Sequence, residues 1–185
     1  MKIFDSYNES IKKLLNAAEE DKNISVNICG MPADIINVDG KYTVAIGVAI
    51  GQLINNIITP SAGNAKYLID FFKKNGGRAT FMPLDIILPR KNSDEIKQAI
   101  KEKGVIAIAT EVVKYEPIYS NVISYLLGDT LICNTIEDAI VIAKKYLNKF
   151  KIVTLEGELI SKNGVITGGN TQKSYGKYFK KIKLE

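Results

Sequence analysis

The sequence predicts an α+β (mixed α/β) fold of two pseudo-repeated helix–strand subdomains with short helices at either end. Three observations carry this. Stretches with an apolar face at helical spacing, 4–21 and 61–74, alternate with short strand-compatible runs, 55–59, 130–133 and 151–155. Gly, Pro and Asp-Gly or Asn-Gly punctuation separates them. The order of elements also repeats, at an offset of about 75 residues, too long for a solenoid. Tyr42, a helix, Gly51, a strand, a helix with Ala65 and Ala79-Thr80-Phe81 are echoed by Tyr119, a helix, Gly128, a strand, a helix with Ala139 and Val153-Thr154-Leu155.

Taken in order, Phe4, Ile11, Leu14, Leu15 and Ala18 fall near one face of the first helix, which is either an ordinary packed helix or the end of a coiled coil. Residues 23–39 are mixed, with Ile35, Ile36 and Val38 toward the core. Residues 42–53 form a helix with little polar face, buried nearly all round, which Gly51 ends as a left-handed cap. A strand at 55–59 leads to a helix capped by Ser61. Gly76 and Gly77 permit a tight turn before Arg78 and a strand that Pro83 must end or confine to an edge. Residues 84–104 form a connection whose charged part, 94–103, suits an exposed helix. Residues 105–113 return to the core, and Pro117 opens a helix that runs to Leu127 and stops at Gly128. Thr130–Cys133 is a strand, Thr135 caps a helix favoured by Glu137 and Asp138, and 151–155 is a strand ending in a Glu156-Gly157 turn. Strands at 159–160 and 165–167 flank an Asn163-Gly164 hairpin turn. The basic and aromatic tail from Thr171 opens a further helix.

Composition narrows the chemistry. The chain has 185 residues, 46% of them hydrophobic, enough for one domain or two intimately packed small ones. Histidine is absent, which removes Ser-His-Asp and Cys-His catalysis and mixed zinc sites. No acid/base pair or activated nucleophile is visible, so no catalytic residue, metal or cofactor is expected. No apolar run reaches the ~18 residues that span a bilayer. Lys2, Asp5 and Glu9 interrupt any secretory signal. Cys29 and Cys133 suit reduced, buried thiols in the cytoplasm, with a disulfide between them as the alternative. A net charge of +5 permits an anionic partner without demanding one.

Two segments carry a family resemblance. Within residues 75–90, NGGRATFMPLDIILPR, the run GRATFMPLD resembles the signature of the hinge domain of SMC proteins, the coiled-coil ATPases that organise chromosomes, and 152–169, IVTLEGELISKNGVITGG, resembles the segment that closes the same domain. The resemblance covers residues 25–170. It implies a coiled-coil end at 1–22, a hinge at 23–170 divided near 103/104, and a returning coiled coil at 171–185. It further implies a homodimer in which strands of one subunit pair with strands of the other. Carried over residue by residue, it nominates Gly164, Ile166, Gly168 and Gly169 for that interface, with Gly128 beside them. The full-length protein would carry an ATPase head, work in chromosome condensation and segregation, attach accessory subunits and reside in the cytoplasm at the nucleoid. The head is absent here, so no ATP hydrolysis is expected of this chain.

Non-specific contact with DNA, single- or double-stranded, is a second expectation. Lys73, Lys74 and Arg78 bracket one turn, and Lys177, Lys180, Lys181 and Lys183 cluster near the other end. These lysines equally suit a solvated surface. Tyr175, Tyr178 and Phe179 either stack on unpaired bases or pack against the N-terminal helix. A rival function is a stand-alone nucleic-acid-binding module that dimerises incidentally. A third rests on GVITGGNT at 164–171, which matches a phosphate-binding loop except that Asn170 replaces its lysine. Close backbone approach explains the same glycines. Glu156 and Glu158 flank a turn glycine, where either weak cation binding or turn chemistry accounts for them.

Overall fold

A computed structural model describes residues 7–170 together with Tyr175, Tyr178 and Phe179. Helix α1, Glu9–Glu20, starts where the Asn8 side chain accepts from the Ile11 amide, satisfying one of the free donors of a first turn. Its apolar face buries Ile11 and Leu14 fully, so it is a packed core helix. Asp21 breaks it in an extended conformation and caps the short α2, Lys22–Ser25. Helix α3, Pro32–Ile35, begins on a proline, whose missing donor costs nothing there. Strand β1, Asn37–Val38, follows.

Helix α4, Thr43–Ile50, is apolar throughout, and residues 45–50 are all buried. The left-handed cap expected at Gly51 is not what forms. Its φ of 57° comes with a ψ of −134°, and the chain continues as a tight 3-10 turn over Gly51–Asn55. A residue without Cβ lets the chain enter that region and change direction rather than stop. Strand β2, Ile57–Thr59, helix α5, Ala62–Asn75, and strand β3, Phe81–Pro83, form a parallel strand–helix–strand unit with Ile57 opposite Phe81.

Helix α6, Asp94–Ala99, is shorter than expected and only partly exposed. Its Ile96 and Ala99 are fully buried against the second half of the chain. Apolar residues three apart on so short a helix define a buried stripe that the surrounding charges mask. Strands β4, Val105–Ile108, and β5, Val113–Lys114, follow. A 3-10 turn over Pro117–Tyr119 opens helix α7, Ser120–Leu127. Strand β6, Thr130–Cys133, helix α8, Ile136–Lys145, and strand β7, Lys151–Thr154, repeat the earlier unit, again with parallel strands. Thr135 caps α8 through the Asp138 amide as Ser61 caps α5 through that of Asn64. Strands β8, Leu159–Ile160, and β9, Ile166–Thr167, close the described chain as an antiparallel hairpin.

The sheets separate the halves. The first holds the β2–β3 pair; the second holds five strands in the order β4-β6-β7-β8-β9. A small antiparallel pair, β1 with β5, joins them. The interior does not divide as the sheets do. One central cluster takes Ile46, Ile50, Ile58 and Met82 from the first half and Ile123, Leu126, Ile132 and Val153 from the second. Two outer clusters flank it: one around Phe150 under α8, one around Phe72 under α1 and α5. The returning helix expected from 171 and the start of the first helix, 1–6, lie outside the described residues.

Candidate functional site

Two strand borders without a neighbour among the described residues each lie beside a hollow; β4 and the β1–β5 pair have open borders as well. Strand β9 pairs with β8 on one side only. It is bare: Val165 and Ile166 are 62% and 54% exposed. The Ser161 amide donates to the Val165 carbonyl and the Gly164 amide to that of Ser161, which sets the hairpin. Gly164 at its tip has φ of 78°, a left-handed value the turn requires. Beside it, between β9 and α8, lies a hollow of about 350 Å³ lined by Ile140, Leu147, Ile160 and Ile166 among others. Leu147 is 78% exposed at its rim. Strand β3 supplies the second of these borders, since β2 carries β3 on one side and a bridge to Gly30 on the other. A comparable hollow of about 380 Å³ runs along β3, lined by Ile69, Phe72, Lys73, Ala79 and Phe81 among others.

The nominated interface residues divide. Gly164, Ile166, Gly168 and Gly169 sit together on the exposed hairpin. Gly128 does not join them. It is buried between α7 and β6, and a side chain there would collide with the backbone carbonyls of Arg90 and Ser124. Its bareness serves packing inside the subunit. Residues 164–167 of the glycine segment form the turn and the second strand of an antiparallel hairpin.

The basic candidates also divide. Lys73, Lys74 and Arg78 are exposed around the turn between α5 and β3. The Arg78 amide donates to Ser10 Oγ of α1 and the Lys13 ammonium to the Asn75 carbonyl, so this turn is pinned to the first helix. Lys73 lies 3.8 Å from Asp70, which also pairs with Lys66. Lys177, Lys180, Lys181 and Lys183 lie outside the described residues. The aromatic tail residues pack: the Tyr178 ring lies 5.2 Å from that of Tyr7, Phe179 is buried, and Tyr175 sits where a side chain on Gly47 of α4 would collide with it.

Two charged groups matter to the architecture and had no sequence signal beyond their type. Asp129 is 4% exposed with φ of 55°. It accepts from the Ser93 amide, the Ser93 hydroxyl and Lys162, while its own amide donates to Asn92. Burial opposes its ionisation most strongly, but the hydrogen bonds from Lys162 and Ser93 prevail and hold its pKa below the usual carboxylate range. Lys151 donates to the Ala49 carbonyl at 2.7 Å, tying β7 to the end of α4. Burial, with Arg90 and Lys162 nearby, lowers its pKa to about 8. Cys29 and Cys133 are free thiols. Burial, aided by Asp138, pushes Cys133 up to about 12, so it is a poor nucleophile. Among the described residues no three acidic or cysteine side chains form a metal-sized group.

This mixed α/β chain, with these two open borders, is of a known class. The family described as SMC proteins Flexible Hinge Domain matches residues 25–143. Among curated relatives, the "Chromosome partition protein Smc" of Clostridium kluyveri is 37% identical over 174 residues, 93% of this chain and 15% of that protein. The hinge domain of the Geobacillus stearothermophilus SMC protein, solved as an asymmetric dimer, superposes with a TM-score of 0.81 at 31% identity, covering 92% of this chain and 69% of that one. The Pyrococcus furiosus SMC hinge domain superposes at 0.66 with 30% identity, covering 88% and 91%. The chain belongs to the SMC hinge domain family.

Proposed function

We propose that this chain is the homodimerisation hinge of a chromosome-organising SMC ATPase, joining two coiled-coil arms and contacting DNA without reading its sequence. The observation that carries it is the pair of unlike open borders. Strand β9 presents exposed Val165 and Ile166 with glycines around them. Strand β3 presents an uncovered border beside an apolar hollow. Unpaired strand borders invite pairing with another chain. In a two-fold dimer the β9 hairpin of each subunit would lie along β3 of the other, so one unlike contact is made twice. The contact of Tyr7 with Tyr178 supports the arms, since it brings together residues near either end of the described chain. The full-length protein would then act in chromosome condensation and segregation with its ATPase head and accessory subunits.

DNA contact is assigned to Lys73, Lys74 and Arg78, together with the C-terminal lysines 177, 180, 181 and 183, which lie outside the described residues. Such contacts act on phosphates and weaken steeply with salt. The test of the hinge reading is sedimentation at low micromolar concentration. The wild type should be a dimer, and Ile166→Asp with Gly168→Glu should give folded monomers. A wild-type monomer at every concentration rejects the hinge; a variant that stays dimeric rejects the β9 border.

A further inference from the structure

Little backbone holds the β8–β9 hairpin to its subunit. Strand β7 carries β8 over two residue pairs, Ile152 with Ile160 and Val153 with Leu159, and β8 carries β9 over two more. A hairpin of this size is marginal by itself. Beyond Ile160 the turn 161–165 is fastened internally. The Ser161 hydroxyl accepts from the Val165 amide, and the backbone bonds of Ser161 to Val165 and Gly164 stay inside the hairpin. Among the described residues, one side-chain hydrogen bond leaves this turn for the rest of the subunit: Lys162 Nζ donates to Asp129 Oδ2 at 2.5 Å. The two ends of that bond differ, since the lysine side chain is 48% exposed and the carboxylate 5%.

Asp129 is fixed on its other side. Its Oδ1 accepts from the Ser93 amide and the Ser93 hydroxyl, and that hydroxyl caps α6 by accepting from the Ile96 amide. One carboxylate therefore joins the hairpin turn, the entry to β6 and the start of α6. Lys151, bonded to the Ala49 carbonyl, feels the charges of both Arg90 and Lys162. A Lys162 ammonium released from Asp129 is repelled by Lys151 and moves outward with its turn. The first half of the chain supplies the contrast. Asn56 holds the place before β2 that Asp129 holds before β6; it is buried and neutral, and its sheet ends at β3 among the described residues. A buried ion pair adds little stability over neutral packing, and its best-attested use is to fix one arrangement.

We propose that the Lys162–Asp129 pair is a tether that sets the direction of the β9 hairpin, which makes Lys162 a positioning residue for the association of two copies. The proposal rests on the reading of β9 as an association border, and it adds what holds that border in place. A border already held in its bound direction loses less freedom on association. In a two-fold dimer this gain counts twice.

The test is the dissociation constant of the dimer, from sedimentation of the whole chain over a range of concentrations at neutral pH. Lys162→Met should raise it by about tenfold or more, since one charge-assisted hydrogen bond is lost in each subunit. Circular dichroism should show this variant folded, because the lysine is half-exposed on a surface turn. Lys162→Arg keeps the charge and the donor and should dimerise as the wild type does. Asp129→Asn leaves Oδ1 to Ser93 but turns an amide donor toward Lys162, so it should weaken the dimer as well. Adding Lys162→Met to it should weaken the dimer no further, since both changes remove the same bond. Losses that add, a Lys162→Met protein that dimerises as the wild type does, or a Lys162→Arg protein as weak as Lys162→Met each overturn the tether and leave the β9 border standing. A wild type that is monomeric at every concentration overturns the border and the tether together.

Discussion

The unit β2–α5–β3 and the unit β6–α8–β7 share one plan, yet they end differently. In the first half no strand pairs with the far border of β3 among the described residues. In the second, β4 covers one border of the parallel pair, and β8–β9 extends the other into an exposed hairpin. Two identical halves would offer identical borders, each able to pair with its own kind. The added hairpin makes the borders unlike: both lie beside hollows, but β9 is exposed at both residues whereas β3 buries Met82. The proposed association thereby prefers contact between different halves of two copies.

Truncating one buried phenylalanine in each half tests that comparison with the largest effect. Phe150, between α8 and β7, is 1% exposed, and Phe72, on α5, is 5% exposed. Phe150→Ala and Phe72→Ala should each cost about 3–5 kcal/mol in urea unfolding followed by circular dichroism. Each should shift a single transition, because the central cluster draws on both halves. Two resolved transitions would show that the halves are separate folding units.

A smaller effect separates the residues that precede the two inner strands. Asn56 stands before β2 and Asp129 before β6, and both are buried. Only Asp129 is charged and held by Lys162 and Ser93. Because its folded-state pKa is lowered, its contribution is fully present above about pH 4 and is lost as pH falls through that lower value. Asp129→Asn should cost about 1–2 kcal/mol at neutral pH and remove part of the acid sensitivity of the urea midpoint. An unchanged acid profile would show that the carboxylate contributes no net stability.

The smallest effect concerns the two caps. Ser61→Ala and Thr135→Ala should each cost about 1 kcal/mol. The first should cost less, because Asp85 also accepts from the Ala62 amide in the first turn of α5. Thermal melts of the two variants side by side would read this, and a larger loss for Ser61→Ala would contradict the role given to Asp85.

The elements set by local chemistry were legible in the sequence. Thr130–Cys133 forms as read, Ser61 and Thr135 cap as read, and the turn at Asn163-Gly164 joins the strands expected of it. Features set by distant partners were not. Strands β1 and β5 are two residues each and exist because Asn37 meets Lys114 across the two halves. The run 105–113 looks uniformly apolar, but it divides into β4, a 3-10 turn and β5 because its ends pair with different strands. At the candidate site the hairpin glycines are exposed together, whereas Gly128 belongs to the interior. Nothing local distinguishes a glycine that admits a neighbouring backbone within one subunit from one that awaits another subunit.

The contact between Tyr7 and Tyr178 has a mechanical consequence. In the proposed hinge, arms attached beside these two residues would pull on neighbouring anchors, so tension spreading them would peel apart this aromatic contact before it strained either β-sheet. The globule would then ride as an unloaded passenger while the proposed arms swing, with the stiffness of the junction set by the rings of Tyr7 and Tyr178.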